Sequence, residues 1–474
     1  MKLSIQLRLI IIILLFTNTL GAQVEFTKYF KDKTMRFDFF HSGTSAEEHF
    51  AIDRIVSDGT WGGSQSVLID ELAFGPYFFE IVDIASEKTI FSRGFANIFG
   101  EWQTTTEAST QWGTIHESLR FPWPIAAFKL IIHKRYANNQ FQKVYETQID
   151  PNSRFVNPAD KAHQYKTWAY LQNGPSHKKL DIVILGDGYQ ASQMSKFKAD
   201  IKKHVDALFD VEPFKSRKND FNVWVVETPG AVVGINKPNQ GIFSRTPLSV
   251  SYGAFDSERY VLAFDNRAVR EVASEVAYDF IFVMVNERTY GGGGIYNLYA
   301  TVSTDNKFSE YIFVHEFGHH LAGLADEYYT SAVAYEAGKL ELEPWEANIT
   351  LMKDPDNLKW KNLVSPTTPI PTPWDKQRFD SLSYAIQKER VSIRKQKLPE
   401  EVMEALFERE KKEEIALLSK MQHYGKVGAF EGAGYNQFGM YRAEADCIMF
   451  TRNHQMFCRV CQQTLNEVID QYSK

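Results

Sequence analysis

Residues 315–328 read HEFGHHLAGLADEY, and the fold assignment of the whole chain rests on this stretch. Residues four apart on a helix lie on one face, so His315 and His319 would point to the same side, with Glu316 one step around the helix. Apolar residues of the same segment indicate that the helix is buried, and they are Phe313, Val314, Phe317 and Leu321. Two histidines and a glutamate on a buried helix need a polar partner. The pattern therefore predicts a metal site.

Zinc is the metal that this spacing favours. Two imidazole nitrogens one helical turn apart can both approach one ion at about 2 Å. Zinc lowers the pKa of a bound water toward about 7 and polarises a carbonyl group, and Glu316 is placed to accept the water proton. The sequence thus predicts one catalytic Zn²⁺ with His315 and His319 as ligands and Glu316 as general base. His320 lies outside the ligand face and is interpreted as an ordinary polar helix residue.

The third ligand is expected just beyond the helix. Gly323 is the predicted helix end, because glycine readily adopts the left-handed conformation that lets a chain leave a helix. The acidic pair Asp326 and Glu327 follows it. Asp326 is favoured as third ligand because its short side chain can offer one oxygen, and Glu327 is the alternative.

Length and composition set limits on the number of domains and on the partners. A chain of 474 residues predicts two or three domains, and 44% hydrophobic with 14% aromatic residues is enough for substantial cores. The formal net charge is −6. This charge gives no reason to expect nucleic acid or an anionic membrane as a partner.

Residues 1–22 have the pattern of a cleavable secretory signal. Lys2 and Arg8 precede an apolar run at residues 9–16, which is shorter than the span of about 20 residues that a bilayer requires. Small residues then lead to Ala22. We expect cleavage after Ala22 and a mature chain, without a membrane span, that is secreted, periplasmic or at the cell surface.

The rest of the chain divides into segments of different character, which predicts an α+β or mixed α/β protein. Residues 23–150 contain short aromatic-rich runs broken by turn residues, typical of an all-β sandwich. Residues 151–178 are polar and turn-rich and are interpreted as a linker. Residues 179–474 alternate apolar strand runs with helical patterns, which predicts a catalytic domain with a mixed sheet and an active-site helix. Within it, the proline-rich and charged residues 343–425, including the charged run 408–414, are interpreted as a solvated surface insertion.

Four successive glycines, at residues 291–294, precede a strand pattern close to the histidine helix. Glycine lets a backbone pass close to another element. An edge strand here could pair with an extended peptide substrate, and plain loop flexibility is the alternative.

The chain has three cysteines, Cys447, Cys458 and Cys461. In an exported protein at least one of them stays unpaired. Cys447 could form a disulfide with Cys458 or Cys461, or Cys458 and Cys461 could be a redox pair. A further alternative is a second, structural zinc ion held by the three cysteines and His454.

Taken together, these motifs resemble the bacterial IgA peptidase family. The likeness rests on the HExxH stretch with its late glycine and acidic pair, and on VGAFEGAGY at 427–435, YR at 441–442, DCIM at 446–449 and FCRVC at 457–461. It covers the chain from about residue 179 onward, and an N-terminal β domain is also usual in that family. The resemblance implies a metzincin-like domain in which Met449 lies beneath the zinc ligands. It also makes Tyr441 a candidate donor to the oxyanion, with a structural tyrosine as the alternative.

These features favour a secreted zinc endopeptidase acting on an extended polypeptide. A first alternative is a catalytically idle binding protein whose N-terminal β domain recognises a surface glycan or protein. Its tryptophans could line such a contact, although core filling is the simpler use of Trp61, Trp102, Trp112 and Trp123. A second alternative is zinc-dependent deacylation of a cell-wall or glycan substrate.

Overall fold

A computed structural model describes residues 24–331, 342–453 and 456–474, so the predicted signal segment lies outside the described residues. Within these ranges no helix combines the length and the apolar composition needed to cross a membrane. The N-terminal part is built mainly from strands. Its elements are α1 (Phe26–Tyr29), β1 (Phe30–Gly43), β2 (Glu48–Ser57), β3 (Tyr77–Asp83), β4 (Lys88–Phe95), α2 (Ile98–Trp102), β5 (Gly113–Pro124), β6 (Phe128–Arg135), β7 (Phe141–Ile149) and β8 (Val156–Asn157).

These strands form two four-stranded sheets with the orders β5-β1-β2-β8 and β4-β3-β6-β7. Alternate residues of β3 are buried, as expected for a strand with one face against a core. Side chains from both sheets meet in one core, which includes Phe37, Phe39, Phe79, Phe91, Phe121 and Leu130. Two sheets that share a core make a β-sandwich.

Three of the four N-terminal tryptophans fill cores. Trp61 and Trp123 belong to the sandwich core, and Trp102 is also buried. Trp112 is 61% exposed. The tryptophans therefore do not form a shared aromatic surface for a glycan.

The C-terminal part is a mixed α/β structure. Its elements in the described chain are β9 (Lys166–Leu171), β10 (Leu180–Asp187), α3 (Met194–Phe209), α4 (Phe214–Arg217), β11 (Phe221–Glu227), β12 (Val250–Tyr252), β13 (Val261–Ala263), α5 (Asn266–Ala273), β14 (Phe280–Val285), β15 (Gly292–Ile295), β16 (Tyr299–Ser303), α6 (Ser309–Ala322), β17 (Ile349–Thr350), α7 (Lys376–Lys395), α8 (Glu400–Leu418), β18 (Phe430–Ala433), β19 (Asn436–Arg442) and α9 (Arg459–Ser473).

The central sheet has the order β15-β16-β14-β10-β11-β9. Its inner strands β16, β14, β10 and β11 are parallel, and the edge strands β15 and β9 are antiparallel to their neighbours. Every residue of β10 and β14 is buried, because helices α3, α6 and α9 cover one face of the sheet and α5 with the β12–β13 hairpin covers the other. The mixed α/β class predicted from the sequence is confirmed.

The segment predicted as a linker, residues 151–178, carries a strand of each part. Its β8 pairs in parallel with β2 of the sandwich, and its β9 pairs antiparallel with β11 of the central sheet. Strand β8 has only two residues, and both strands lie among turn residues, so the local pattern gave little strand signal. The chain between them, residues 158–165, is what connects the two parts.

Residues 343–425, interpreted from the sequence as a solvated surface insertion, include two helices with buried faces. Helices α7 and α8 contribute to the same core as α6, through Phe379, Ile386, Ile393, Met403, Leu406, Phe407 and Leu418. Within the charged run 408–414, Glu410 and Glu414 are buried, and Glu410 pairs with Arg452. The apolar residues recur at helical spacing between charged ones, so each helix has one buried face that composition alone did not reveal.

Candidate metal centre

The end of α6 gives the site its shape. Gly323 follows the last helical residue with φ of 58°, in the left-handed region, and its N–H donates to the His319 carbonyl at 2.9 Å. A Cβ at Gly323 would come within 2.4 Å of the Trp345 ring, so only glycine fits. The chain turns here and returns Asp326 toward the helix face that carries the histidines.

Three potential ligand atoms meet at this face. His315 Nε2 and His319 Nε2 lie 3.1 Å apart. Asp326 Oδ1 lies 3.0 Å from His315 Nε2 and 3.3 Å from His319 Nε2. The structure thus brings together the two predicted histidines and the favoured third residue, Asp326.

These residues fit a zinc ion. Ligand atoms about 2.0 Å from a tetrahedral ion lie about 3.3 Å from one another, and the three distances are close to that value. Asp326 Oδ1 is buried and faces the two imidazole nitrogens. A buried carboxylate oxygen facing two imidazole nitrogens is costly unless a cation compensates it.

Each imidazole is oriented by its other nitrogen. His315 Nδ1 lies 3.0 Å from the Ile448 carbonyl oxygen, and His319 Nδ1 contacts the Leu324 carbonyl oxygen. A carbonyl can only accept, so both Nδ1 atoms carry a proton, and both Nε2 atoms face Asp326. Tyr435 donates its hydroxyl hydrogen to Asp326 Oδ2, which directs the other oxygen to the histidines. Such outer contacts are typical of metal centres.

Charge and burial act against each other at these groups. Burial lowers the pKa of His319, but the neighbouring Asp326 outweighs this effect and raises the pKa to about 9. Burial raises the pKa of Asp326, yet the two histidines hold it well below its usual value. Burial raises the pKa of Glu316 as well. Asp326 is therefore held as the anion that a divalent cation needs.

Strand β15 lies against α6 on the side of Glu316. A Cβ at Gly294 would lie 2.3 Å from the Glu316 carbonyl oxygen and 3.0 Å from His319 Cβ, and one at Gly292 would lie 2.6 Å from Ile312 Cγ2. The glycines are therefore required for the close approach of strand and helix. The Gly292 N–H already donates to the Arg259 carbonyl at 3.2 Å, so an unpaired edge of β15 can begin only beyond Gly292.

A cavity of about 670 Å³ opens in front of the histidines. The C-terminal part contributes His315, Glu316, His319, Asp326, Arg259, Tyr328 and Tyr435, and the sandwich contributes Glu101, Thr104, Arg135, Tyr136 and Asn139. Burial raises the pKa of Glu101 to about 7, and the Tyr260 hydroxyl donates to its carboxylate. The N-terminal part thus forms one wall of the site, which no motif in the sequence had indicated.

The other predicted residues lie apart from the ligand triangle. The Glu327 side chain points away from it, toward Asn348 Nδ2 at 3.0 Å and the cysteines. The Met449 sulfur lies under α6, where a Cβ at Gly318 would be 3.1 Å from it. Tyr441 pairs with Thr350 in the β17–β19 ladder and does not line the cavity, whereas Tyr328 and Tyr435 do.

His320 is more than an ordinary polar helix residue. It is fully buried, and its Nε2 accepts the Ile281 N–H at 3.2 Å. Its Nδ1 lies 3.0 Å from the Ile295 carbonyl oxygen and therefore carries the proton. Burial lowers the pKa of His320 to about 3, so the neutral ring joins α6 to strands β14 and β15 of the sheet.

Two family models match the chain. The model described as Peptidase M64 N-terminus matches residues 25–146, and the model described as IgA Peptidase M64 matches residues 169–469. Matches over both parts, together with the paired histidines in an open cavity, define the class of protein as a peptidase. The chain belongs to the IgA peptidase M64 family. Comparison with the curated proteins gives no match. The resemblance inferred from the motifs is confirmed.

Replacing Gly294 by alanine should lower both the stability of the protein and its affinity for the metal. The new Cβ would collide with the Glu316 carbonyl oxygen at 2.3 Å, so strand or helix must shift. We expect a loss of about 1–3 kcal/mol in the free energy of unfolding together with weakened metal binding. Gly425→Ala is the control, because its Cβ would meet nothing within 4 Å and only its φ of 67° opposes the change. Chemical denaturation and metal titration of both variants check this, and equal metal affinity in the two would contradict it.

Proposed function

We propose that the protein is a zinc-dependent endopeptidase, in which His315, His319 and Asp326 hold the ion and Glu316 is the general base. The observation that carries this proposal is the buried Asp326 Oδ1, 3.0 and 3.3 Å from two imidazole nitrogens that lie 3.1 Å from each other. Membership of a peptidase family supports hydrolysis of a polypeptide.

The zinc ion and Glu316 would have different roles in peptide hydrolysis. When bound, zinc supplies Lewis-acid chemistry, lowering the pKa of a water and polarising the scissile carbonyl. Glu316 lines the cavity beside the two histidines and accepts the proton of the attacking water. It then passes this proton to the leaving amine. Because burial raises the pKa of Glu316, its carboxyl group is better suited to carry the proton between the two steps than an exposed glutamate.

The carbonyl oxygen of the substrate needs a donor, and Tyr328 is our candidate. Its ring lies 6.4 Å from that of His315, and Arg259 Nη2 donates to its hydroxyl oxygen at 3.1 Å. Both residues line the cavity. Tyr328 therefore takes the place in the proposal that the sequence had suggested for Tyr441.

We propose that the substrate binds as an extended strand between the two parts of the chain. Gly293 and Gly294 of β15 line the cavity, and β15 is the edge strand of the central sheet. Extended peptides bind sheet edges through main-chain hydrogen bonds. Met449, whose sulfur lies beneath α6, would serve as the methionine turn of a metzincin-like domain.

The alternatives have less support. A catalytically idle binding protein would have no chemical need for the arrangement of Glu316 beside the histidines, and the burial of three tryptophans removes the basis for a glycan surface. Deacylation of a glycan would use the same ion and base, but the family match favours peptide bonds.

We also propose export of the mature chain, on the basis of the charged start and short apolar run of residues 1–22. N-terminal sequencing of protein recovered outside the producing cells should begin at Gln23. Protein that is retained inside with residues 1–22 still attached would contradict export.

Replacing Glu316 by Gln should separate metal binding from catalysis. The amide keeps the size of the side chain but cannot accept the water proton, so kcat/KM for casein should fall at least about 100-fold while zinc per chain stays unchanged. The control is Glu310→Gln in the first turn of α6, whose side chain is 44% exposed. Activity near that of the unmodified chain in Glu316→Gln would refute the assigned base.

Replacing Asp326 by Ala should remove one zinc ion and the activity with it. The control is Tyr435→Phe, which leaves the carboxylate in place and removes only the hydroxyl that donates to it. A change in such an outer contact costs about 10–100-fold in metal affinity, and loss of the ligand itself should cost more. Competition with a chelator measures both affinities. An Asp326→Ala affinity equal to that of Tyr435→Phe would exclude Asp326 as a ligand.

A further inference from the structure

A second cluster of metal-binding side chains lies beside the first. Cys447, Cys458, Cys461 and Glu327 each offer one ligand atom, and these four atoms lie within 4.8 Å of one another. All four residues are completely buried, at 0% exposure. They come from three separate segments, namely the turn after α6, the loop before α9 and the first turn of α9. No disulfide joins the thiols, which are free.

The distances match a tetrahedral thiolate site. Ligand atoms on zinc, with Zn–S about 2.3 Å and Zn–O about 2.0 Å, lie about 3.8 Å apart for two sulfurs and about 3.5 Å apart for sulfur and oxygen. Cys447 Sγ and Cys461 Sγ are 3.9 Å apart. Glu327 Oε1 is 3.4 Å from Cys461 Sγ and 3.9 Å from Cys458 Sγ. The sulfur–sulfur distance and the sulfur–oxygen distances are thus both close to those expected around one tetrahedral zinc ion.

The carboxylate lacks the partners that its burial requires. Glu327 Oε1 accepts from Asn348 Nδ2 at 3.0 Å, but Oε2 is buried and without a hydrogen bond in the described structure. An orphaned carboxylate oxygen inside a protein is expensive unless a cation compensates it. A disulfide between two of the cysteines would not supply a partner for that oxygen.

Backbone N–H groups point at two of the three sulfurs. Cys447 Sγ accepts the N–H of Cys458 at 3.2 Å and that of Met449 at 3.5 Å. Cys458 begins α9, and its Sγ accepts the Cys461 N–H at 3.4 Å, so the positive end of the helix dipole faces it. The guanidinium of Arg442, itself 0% exposed, supplies a further positive charge nearby.

The geometry points to a second, structural zinc site formed by Cys447, Cys458, Cys461 and Glu327. Four protein ligands leave no open coordination position, which is characteristic of a structural rather than a catalytic ion. Glu327 takes the fourth position that the sequence had offered to His454, a residue outside the described part of the chain. Glu327, which the sequence offered as the alternative third ligand of the catalytic zinc, is thereby assigned to a different ion.

Metal counting on the purified full chain tests this site. We expect two zinc ions per chain by elemental analysis, and one in Cys461→Ser. Thr464→Ser is the matched control, because Thr464 is buried on α9 one turn beyond Cys461 and offers no ligand. His319→Ala should also retain one ion, and the double variant with Cys461→Ser none. Two ions in Cys461→Ser, or a single ion in the unmodified chain that remains in Cys461→Ser, would overturn the assignment.

A spectroscopic measurement covers the case in which Cys461→Ser fails to fold. The catalytic ligands contain no sulfur, so zinc–sulfur scattering at about 2.3 Å in the X-ray absorption of the unmodified chain can come only from the cysteine site. His319→Ala should keep this signal while losing activity, which separates failure of the proposed function from failure of this site. Absence of the sulfur signal, or an intact mass lowered by a disulfide, would overturn the proposal.

Discussion

Two imidazole nitrogens and one carboxylate oxygen, held 3.0–3.3 Å apart inside the protein, are the constraint on which the rest of the structure depends. In the proposed function, a zinc ion lies among these three atoms and compensates the buried carboxylate. The left-handed turn at Gly323 returns the carboxylate, and the carbonyls of Leu324 and Ile448 hold the rings. The site therefore needs contacts from three separate segments, although two of its ligands lie on one helical turn.

The sequence predicted the parts of this centre that depend on helical periodicity alone. The spacing of His315 and His319 fixes their common face, and Gly323 marks the helix end. Asp326 and Glu327 could not be distinguished with the same certainty, because the side chains of neighbouring residues leave an extended segment in opposite directions and only tertiary contacts decide which one faces the helix. The two readings of Tyr441, as an oxyanion donor or as a structural tyrosine, could not be separated for a related reason, since its place in a strand ladder is set by register rather than by motif.

Long-range packing explains what the sequence did not reveal. Glu101 and Arg135 reach the cavity from the β-sandwich, far from α6 in the chain, and no local pattern links them to it. The many charged residues of helices α7 and α8 suggest that both are exposed to solvent. Each helix nevertheless buries one apolar face in the core that also contains α6. The short strand runs of the sandwich and the continuous apolar runs of β10 and β14 could be recognised in the sequence, because these patterns depend only on neighbouring residues. The position of each element relative to the histidines depends on long-range contacts and could not be predicted from the sequence.

The two clusters are joined by one short segment. Cys447 belongs to the cysteine cluster, the next residue, Ile448, uses its carbonyl to orient His315, and Met449 accepts the Glu327 N–H at 2.8 Å. Glu327 in turn follows Asp326 directly, so its backbone position also fixes where the carboxylate of Asp326 can reach. We therefore expect a change in the cysteine cluster to alter the orientation of His315 and Asp326. Outer contacts of this kind tune metal affinity about 10–100-fold, so in the proposed function the C-terminal cysteines support the zinc ligands although they lie outside the ligand set.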